Sequence, residues 1–217
     1  MGRNGKPALT SALVLLLAVT SVMASDWPTY RHDLARTGCT NESLGAPLVL
    51  RWVYTSTHEP RPAWSGPGTR PREGFLLHNR VDFDDAFHVV VAGDRLYFGS
   101  SADDKVYTLS ATTGEELWSF FTGGPIRLAP TLWDGRLFVG SDDGFVYCLK
   151  ADTGELVWKV RGGPAEERLL GNERMISRWP IRSGVLVDDG VAYFGAGVFP
   201  HVNVYLVAVR AEDGRVV

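Results

Sequence analysis

Four residues of this 217-residue chain have the types and spacing to hold an anion: Arg127, Arg178, Trp179 and Arg182. Two of them close matching dipeptides, Ile126-Arg127 and Ile181-Arg182. A guanidinium presents a planar fork of donors that fits carboxylate, phosphate or sulfate oxygens two at a time. With Trp179 beside it, such a pair suits a small anionic ligand. The same arginines could instead pair with neighbouring carboxylates or cover strand edges, and the sequence leaves both readings open.

Other chemistry-bearing residues are less organised. The acidic groups Asp82-Asp84-Asp85, Asp103-Asp104 and Asp142-Asp143 match no defined calcium loop and read as Asp-rich turns. His32, His58, His78, His88 and His201 are scattered, so no metal site is expected. The two cysteines, Cys39 and Cys148, lie far apart, and Cys148 falls in an expected strand, where a buried thiol fits better than a disulfide. There is no C-x-x-C-H haem motif.

The elements that must position the arginines are strands. Leu132 to Trp158 reads as a meander of alternating apolar residues punctuated by Asp134-Gly135, Asp142-Asp143-Gly144 and Asp152-Thr153-Gly154. The same pattern precedes it: Gly114 and Trp118 answer Gly154 and Trp158 at an offset of 40. A third copy, with longer loops, runs through Tyr193-Phe194-Gly195 to Gly214. A four-strand unit repeating at about 40 residues is the signature of a β-propeller blade.

The fold class is therefore all-β, a propeller of four-stranded blades. First-blade strands are expected near 86–92, 95–100, 105–110 and 115–121, and second-blade strands near 127–133, 136–141, 145–150 and 155–161. The third blade follows near 179–187, 191–195, 203–210 and from 215 onward. Leu48 to Tyr54 alternates like one further strand, with Trp52 in the place of the terminal Trp. It reads as the closing outer strand of another blade. Gly214 predicts a Trp next after Val217, so the chain reads as an N-terminal fragment with about three blades plus one closing strand. Residues 48–217 form this partial propeller, and 25–47 an irregular lead-in.

Three insertions interrupt the repeat: Thr55–Asp85, Gly162–Ser177 and Ala196–Val202. In blade topology all three emerge on one face, while the opposite face keeps tight Asp-Gly and Thr-Gly turns. Rigid scaffolds carry recognition on loops, so the elaborated face is the expected ligand face. Ile126-Arg127 and Ile181-Arg182 fall in register at the start of innermost strands, which puts both arginines at one mouth of the channel.

Net charge is −3 at neutral pH, which offers nucleic acid no electrostatic footing. Arg3 and Lys6 precede an apolar run, Ala8–Val19, ending at Val22-Met23-Ala24. That pattern reads as a signal peptide over residues 1–24, cut after Ala24, with an uncleaved membrane anchor as the alternative for which the run is short; it implies an exported, periplasmic or extracellular protein.

The repeat endings T-L-S-A-T-T-G-E-E-L-W (Thr108–Trp118) and C-L-K-A-D-T-G-E-L-V-W (Cys148–Trp158) resemble the tryptophan-docking motif of pyrroloquinoline quinone (PQQ) propellers. The opening D-W-P-T-Y-R-H-D-L-A-R-T-G is similar to that superfamily's start. In this resemblance Gly114, Trp118, Gly154, Trp158 and Gly214 are the structural repeat motif. Departures are plain. The motif's Asp is replaced by Ser110, Lys150 and Arg210, no adjacent Cys-Cys pair is present, and no residue matches a calcium ligand or catalytic base. The resemblance implies a non-catalytic scaffold with protein partners, similar to the propeller of the outer-membrane β-barrel assembly machinery. Its alternative is a dehydrogenase in which PQQ and calcium oxidise an alcohol or sugar.

Overall fold

A computed structural model describes residues 25–63, 71–72, 75–76, 84–171 and 173–217, with backbone only for 71–72 and 75–76. The expected signal peptide and most of the first insertion lie outside these residues. The fold is all-β, with fifteen strands among the described residues: β1 (Pro71–Arg72), β2 (Phe75–Leu76), β3 (Val89–Ala92), β4 (Arg95–Gly99), β5 (Lys105–Ser110), β6 (Glu116–Phe121), β7 (Thr131–Trp133), β8 (Arg136–Gly140), β9 (Phe145–Lys150), β10 (Leu156–Arg161), β11 (Arg168–Gly171), β12 (Arg174–Ser177), β13 (Leu186–Asp188), β14 (Val191–Ala196) and β15 (Tyr205–Arg210).

Two four-stranded antiparallel meanders, β3–β6 and β7–β10, are the first and second blades. The third blade contains β13–β15, and a bridge between Val209 and Val216 begins its fourth strand. The meander follows from turn chemistry. Asp134-Gly135 and Asp189-Gly190 both sit at positive φ, the two-residue hairpin geometry whose twist matches antiparallel strands.

Outer strands are bent by a repeated device. Trp118 pairs with Thr108 and Glu116 with Leu109, leaving Leu117 as the extra residue of a bulge; Val157 is the extra residue in β10. Each bulge directs the following Trp towards the next blade. The Trp118 ring lies on Gly154, where any side chain would collide, and its indole N–H donates to the carbonyl of Ala151 at 3.2 Å. Trp158 does the same with Gly214 and Ala211, and Trp52 with Gly114 and Ala111.

The core therefore lies between blades. One cluster joins the second and third blades through Phe138, Trp158, Ile181 and Phe194. Another joins the first and second through Tyr97, Val106, Ile126 and Leu137. Within the first blade, Thr108 is fully buried and its hydroxyl has no hydrogen-bond partner, whereas Cys148 fills the matching position of the second. Thr108→Val is expected to raise unfolding stability by about 1 kcal/mol in urea titrations, because it removes an unsatisfied buried hydroxyl at nearly constant shape.

One expectation needs correction, and two segments gain definition. Leu48–Tyr54 has no strand partner among the described residues, in line with a closing strand whose neighbours belong to another blade; Trp52 and Tyr54 dock on the first blade. The innermost strands begin later than expected, at Thr131 and Leu186, because Pro125, Pro130 and Pro180 lack the N–H a ladder requires. The second insertion, for which the sequence offered no secondary structure, holds the hairpin β11–β12. The lead-in is also better tied down than its composition suggests. Trp27 pairs with Val91 on the inner edge of β3, and the carbonyl of Pro28 accepts the amide of Leu132.

Candidate functional site

The arginines are aimed by a repeated Pro-Ile-Arg segment, 125–127 and 180–182. Gly99 at the end of β4 leaves room for the Ile126 side chain, and Gly140 at the end of β8 does so for Ile181; a methyl group at either would collide with that isoleucine. The amides of Ile126 and Ile181 donate to the carbonyls of Ser100 and Ser141, each at 3.1 Å. With the isoleucines held this way, the next residue of each segment projects into the same mouth.

There the two guanidiniums converge on one carboxylate. Arg127 Nε donates to Asp142 Oδ2 at 2.6 Å, while Arg182 grips both oxygens, Nε to Oδ1 at 2.7 Å and Nη2 to Oδ2 at 2.8 Å. Nη1 of Arg127 also reaches Asp84 Oδ2 at 2.6 Å and the carbonyl of Arg61 at 2.7 Å. Asp84 Oδ2 accepts the amide of Ala63 at 2.7 Å. Side-chain exposure is 4% for Arg127, 6% for Arg182, 3% for Asp84 and 1% for Asp142. Among the described residues this is a buried cluster of two guanidiniums and two carboxylates, drawn from the second and third blades and the first insertion.

The register brings Arg127 and Arg182 together, and protein carboxylates, one of the two kinds of partner the sequence left open, fill their forks. Arg178 stands apart. It pairs with Glu167 at 2.6 Å, half-exposed, and lies 5.4 Å over the Trp179 ring. Trp179 is buried and donates its indole N–H to the Val202 carbonyl at 2.9 Å, holding the third insertion to the start of the third blade. Asp84 and Asp142 read in the sequence as members of Asp-rich turns, not as partners of the arginines, and the Arg61 carbonyl was not singled out.

The insertions gather on this face. Arg174 of β12 donates to the carbonyls of Ser101 and Ala102 at 2.8 and 3.1 Å and pairs with Asp104 at 3.0 Å. Burial pushes the Asp104 carboxyl above its ordinary value, with Arg174 pulling it back. Arg61 reaches Glu173 at 2.7 Å, and the Ser177 amide donates to the Asp142 carbonyl at 2.7 Å. Tyr107 and Tyr147 donate to Asp103 and Asp143 in the loops beneath, and burial raises both phenols above their usual range.

Calcium needs six to eight oxygen ligands. The mouth does not fit that demand: Asp84 and Asp142 are each engaged by arginine, and no group of three His, Cys, Asp or Glu side chains converges among the described residues. No redox step follows from this donor set. Cys39 is exposed and Cys148 buried, and the two are not bonded to each other. Burial pushes the Cys148 thiol up to about 12, so it stays protonated at ordinary pH. A thiol reagent at about pH 8 is expected to label Cys39 in the folded protein and Cys148 only after denaturation; prompt labelling of both would contradict that burial.

A family profile described as outer membrane protein assembly factor BamB matches residues 57–217. Among solved structures, a quinohemoprotein alcohol dehydrogenase from Pseudomonas putida HK5 superposes with TM-score 0.55 and 17% identity, covering 88% of this chain and 26% of that one. One from Comamonas testosteroni gives TM-score 0.55 and 19% identity, covering 91% and 27%. A europium-containing methanol dehydrogenase gives TM-score 0.55 and 17% identity, covering 89% and 31%. This chain thus spans about a quarter to a third of those proteins, and the likeness is one of fold. No curated protein matches the chain. Among the described residues, no helix is long and apolar enough to cross a membrane.

Proposed function

The chain belongs to the outer membrane protein assembly factor BamB family, and from that premise we propose that it is an exported propeller serving as a protein-binding scaffold. The observation that carries this reading is the construction of the insertion face. Parts of all three insertions are fastened to the blades beneath by Arg127, Arg174, Trp179 and the shared Asp142. Such a platform is organised before a partner arrives, so binding costs little ordering entropy. The buried cluster at the mouth supports the insertions and leaves recognition to the surface above it.

A small anion could enter at Arg127 and Arg182 only by displacing Asp142 or Asp84. Dehydrogenase chemistry has the fold likeness in its favour, whereas the residues described supply no base or calcium ligands for it. The test uses the full-length protein expressed with its own leader. Processing after Ala24 and recovery in the periplasmic fraction support export; retention of residues 1–24 in the cytoplasm refutes it. Dye-linked oxidation of alcohols or glucose after loading with PQQ and calcium is expected to be absent, and turnover would overturn the scaffold reading in favour of the enzyme.

A further inference from the structure

We propose that the outer edge of β11 accepts an extended segment of a partner protein as a third strand of the insertion hairpin. This deepens the scaffold reading and rests on it. The hairpin is a two-stranded sheet with an orderly division of its faces and edges. Leu169 pairs with Ile176 and Leu170 with Met175. Ile176 is buried against the protein, and Arg174, on the same face, is anchored to the first blade. On the opposite face Leu170 is 72% exposed and Met175 54%, side by side across the strands.

The hydrogen-bond pattern says which backbone groups are left over. The Arg178 amide donates to the Glu167 carbonyl at 2.9 Å, which makes 167 and 178 a bonded pair. Alternation along an antiparallel ladder then gives bonded pairs at 169–176 and 171–174 and turns the intervening residues outward. On β12 the outward amide of Ser177 is taken by Asp142. On β11 the outward N–H and C=O groups belong to Arg168 and Leu170, and none has a partner among the described residues.

An open edge beside an exposed apolar pair is the arrangement that binds extended peptides by strand addition. The hairpin is held rigid by Arg174, by the Arg61–Glu173 pair and by the Arg178–Glu167 pair, so the edge is presented in register. Its side chains define the guest. Leu170 and Met175 call for an apolar residue, and Arg168, two positions along the same face, for an acidic one. Arg168 is 46% exposed and its nearest carboxylate, Glu166, stands off at 3.8 Å. The occupant is therefore a protein segment in β conformation with apolar and acidic residues on one face.

The probe is a fluorescein-labelled peptide of alternating valine-containing and glutamate-containing pairs, titrated against the full chain by anisotropy, with amide exchange followed at β11. Binding is expected to slow exchange at Arg168 and Leu170. Methylating the peptide nitrogens that face the edge is expected to abolish binding, while methylating the alternate nitrogens leaves it intact. Leu170→Ser with Met175→Ser is expected to weaken binding by more than about tenfold without changing Tm. Equal binding of both methylated peptides, protection at β6 or β10 instead of β11, or no binding overturns the proposal. Failure here together with partner cross-links elsewhere on the insertion face leaves the scaffold reading standing; strand addition without any cellular partner defeats that reading alone.

Discussion

Trp158→Ala is expected to lower unfolding stability by about 3–5 kcal/mol, the usual cost of deleting a buried Trp. The ring sits on Gly214, its indole N–H donates to Ala211 at 3.0 Å, and Phe138 packs beside it. Its loss opens a cavity between the second and third blades and leaves the Ala211 carbonyl with Arg136 as its remaining donor. Because each blade borrows its core from the next, the damage should spread along the array. Urea unfolding followed by Trp fluorescence and by far-ultraviolet circular dichroism provides the check. A loss below about 1 kcal/mol would contradict the docking role. Phenylalanine at 158 should recover part of the loss, since it fills volume without donating a hydrogen bond.

Asp142→Asn is expected to cost about 3–5 kcal/mol, because it leaves two buried guanidiniums with Asp84 as their remaining carboxylate in the cluster. The pairing is deeply buried, so the loss should persist in high salt, where exposed pairs are screened. Replacing Arg182 with Met in the same chain should restore stability in part, because it removes one of the two buried cations that shared the Asp142 carboxylate. The variant also separates structure from recognition: loosened insertions should exchange amide protons faster at Ala63 and Ser177, which bond to Asp84 and to the Asp142 carbonyl. An unchanged urea midpoint with unchanged exchange would show that the cluster does not hold the face together.

Much of the fold was legible because its signals are local and repeated. The Asp134-Gly135 turn, the Thr153-Gly154 turn and the Trp four positions later each follow from nearby residues, and each recurs. The register of Arg127 and Arg182 was legible for the same reason. Their partners were not, because Asp84 lies inside an insertion and Asp142 in an Asp-rich turn, and only folding brings four charges from two blades and an insertion to one point. Leu48–Tyr54 has the alternation of a strand, but a strand also requires a neighbour, which alternation cannot supply. The hairpin β11–β12 was missed for the opposite reason: Leu169-Leu170 and Met175-Ile176 flank a turn, yet the surrounding charges and glycines hid so short a pattern.

The central claim is that the insertion face meets a protein. Site-specific photo-cross-linking in cells making the full-length protein tests it most directly, with the cross-linker placed at Ala102, Glu173 or His201 on the insertion side and at Asp134 or Asp189 in the tight turns opposite. The account predicts a defined protein adduct from the insertion positions and none from the turns. Adducts confined to the turns, or none from either face in protein that oxidises alcohols when loaded with PQQ and calcium, would contradict it.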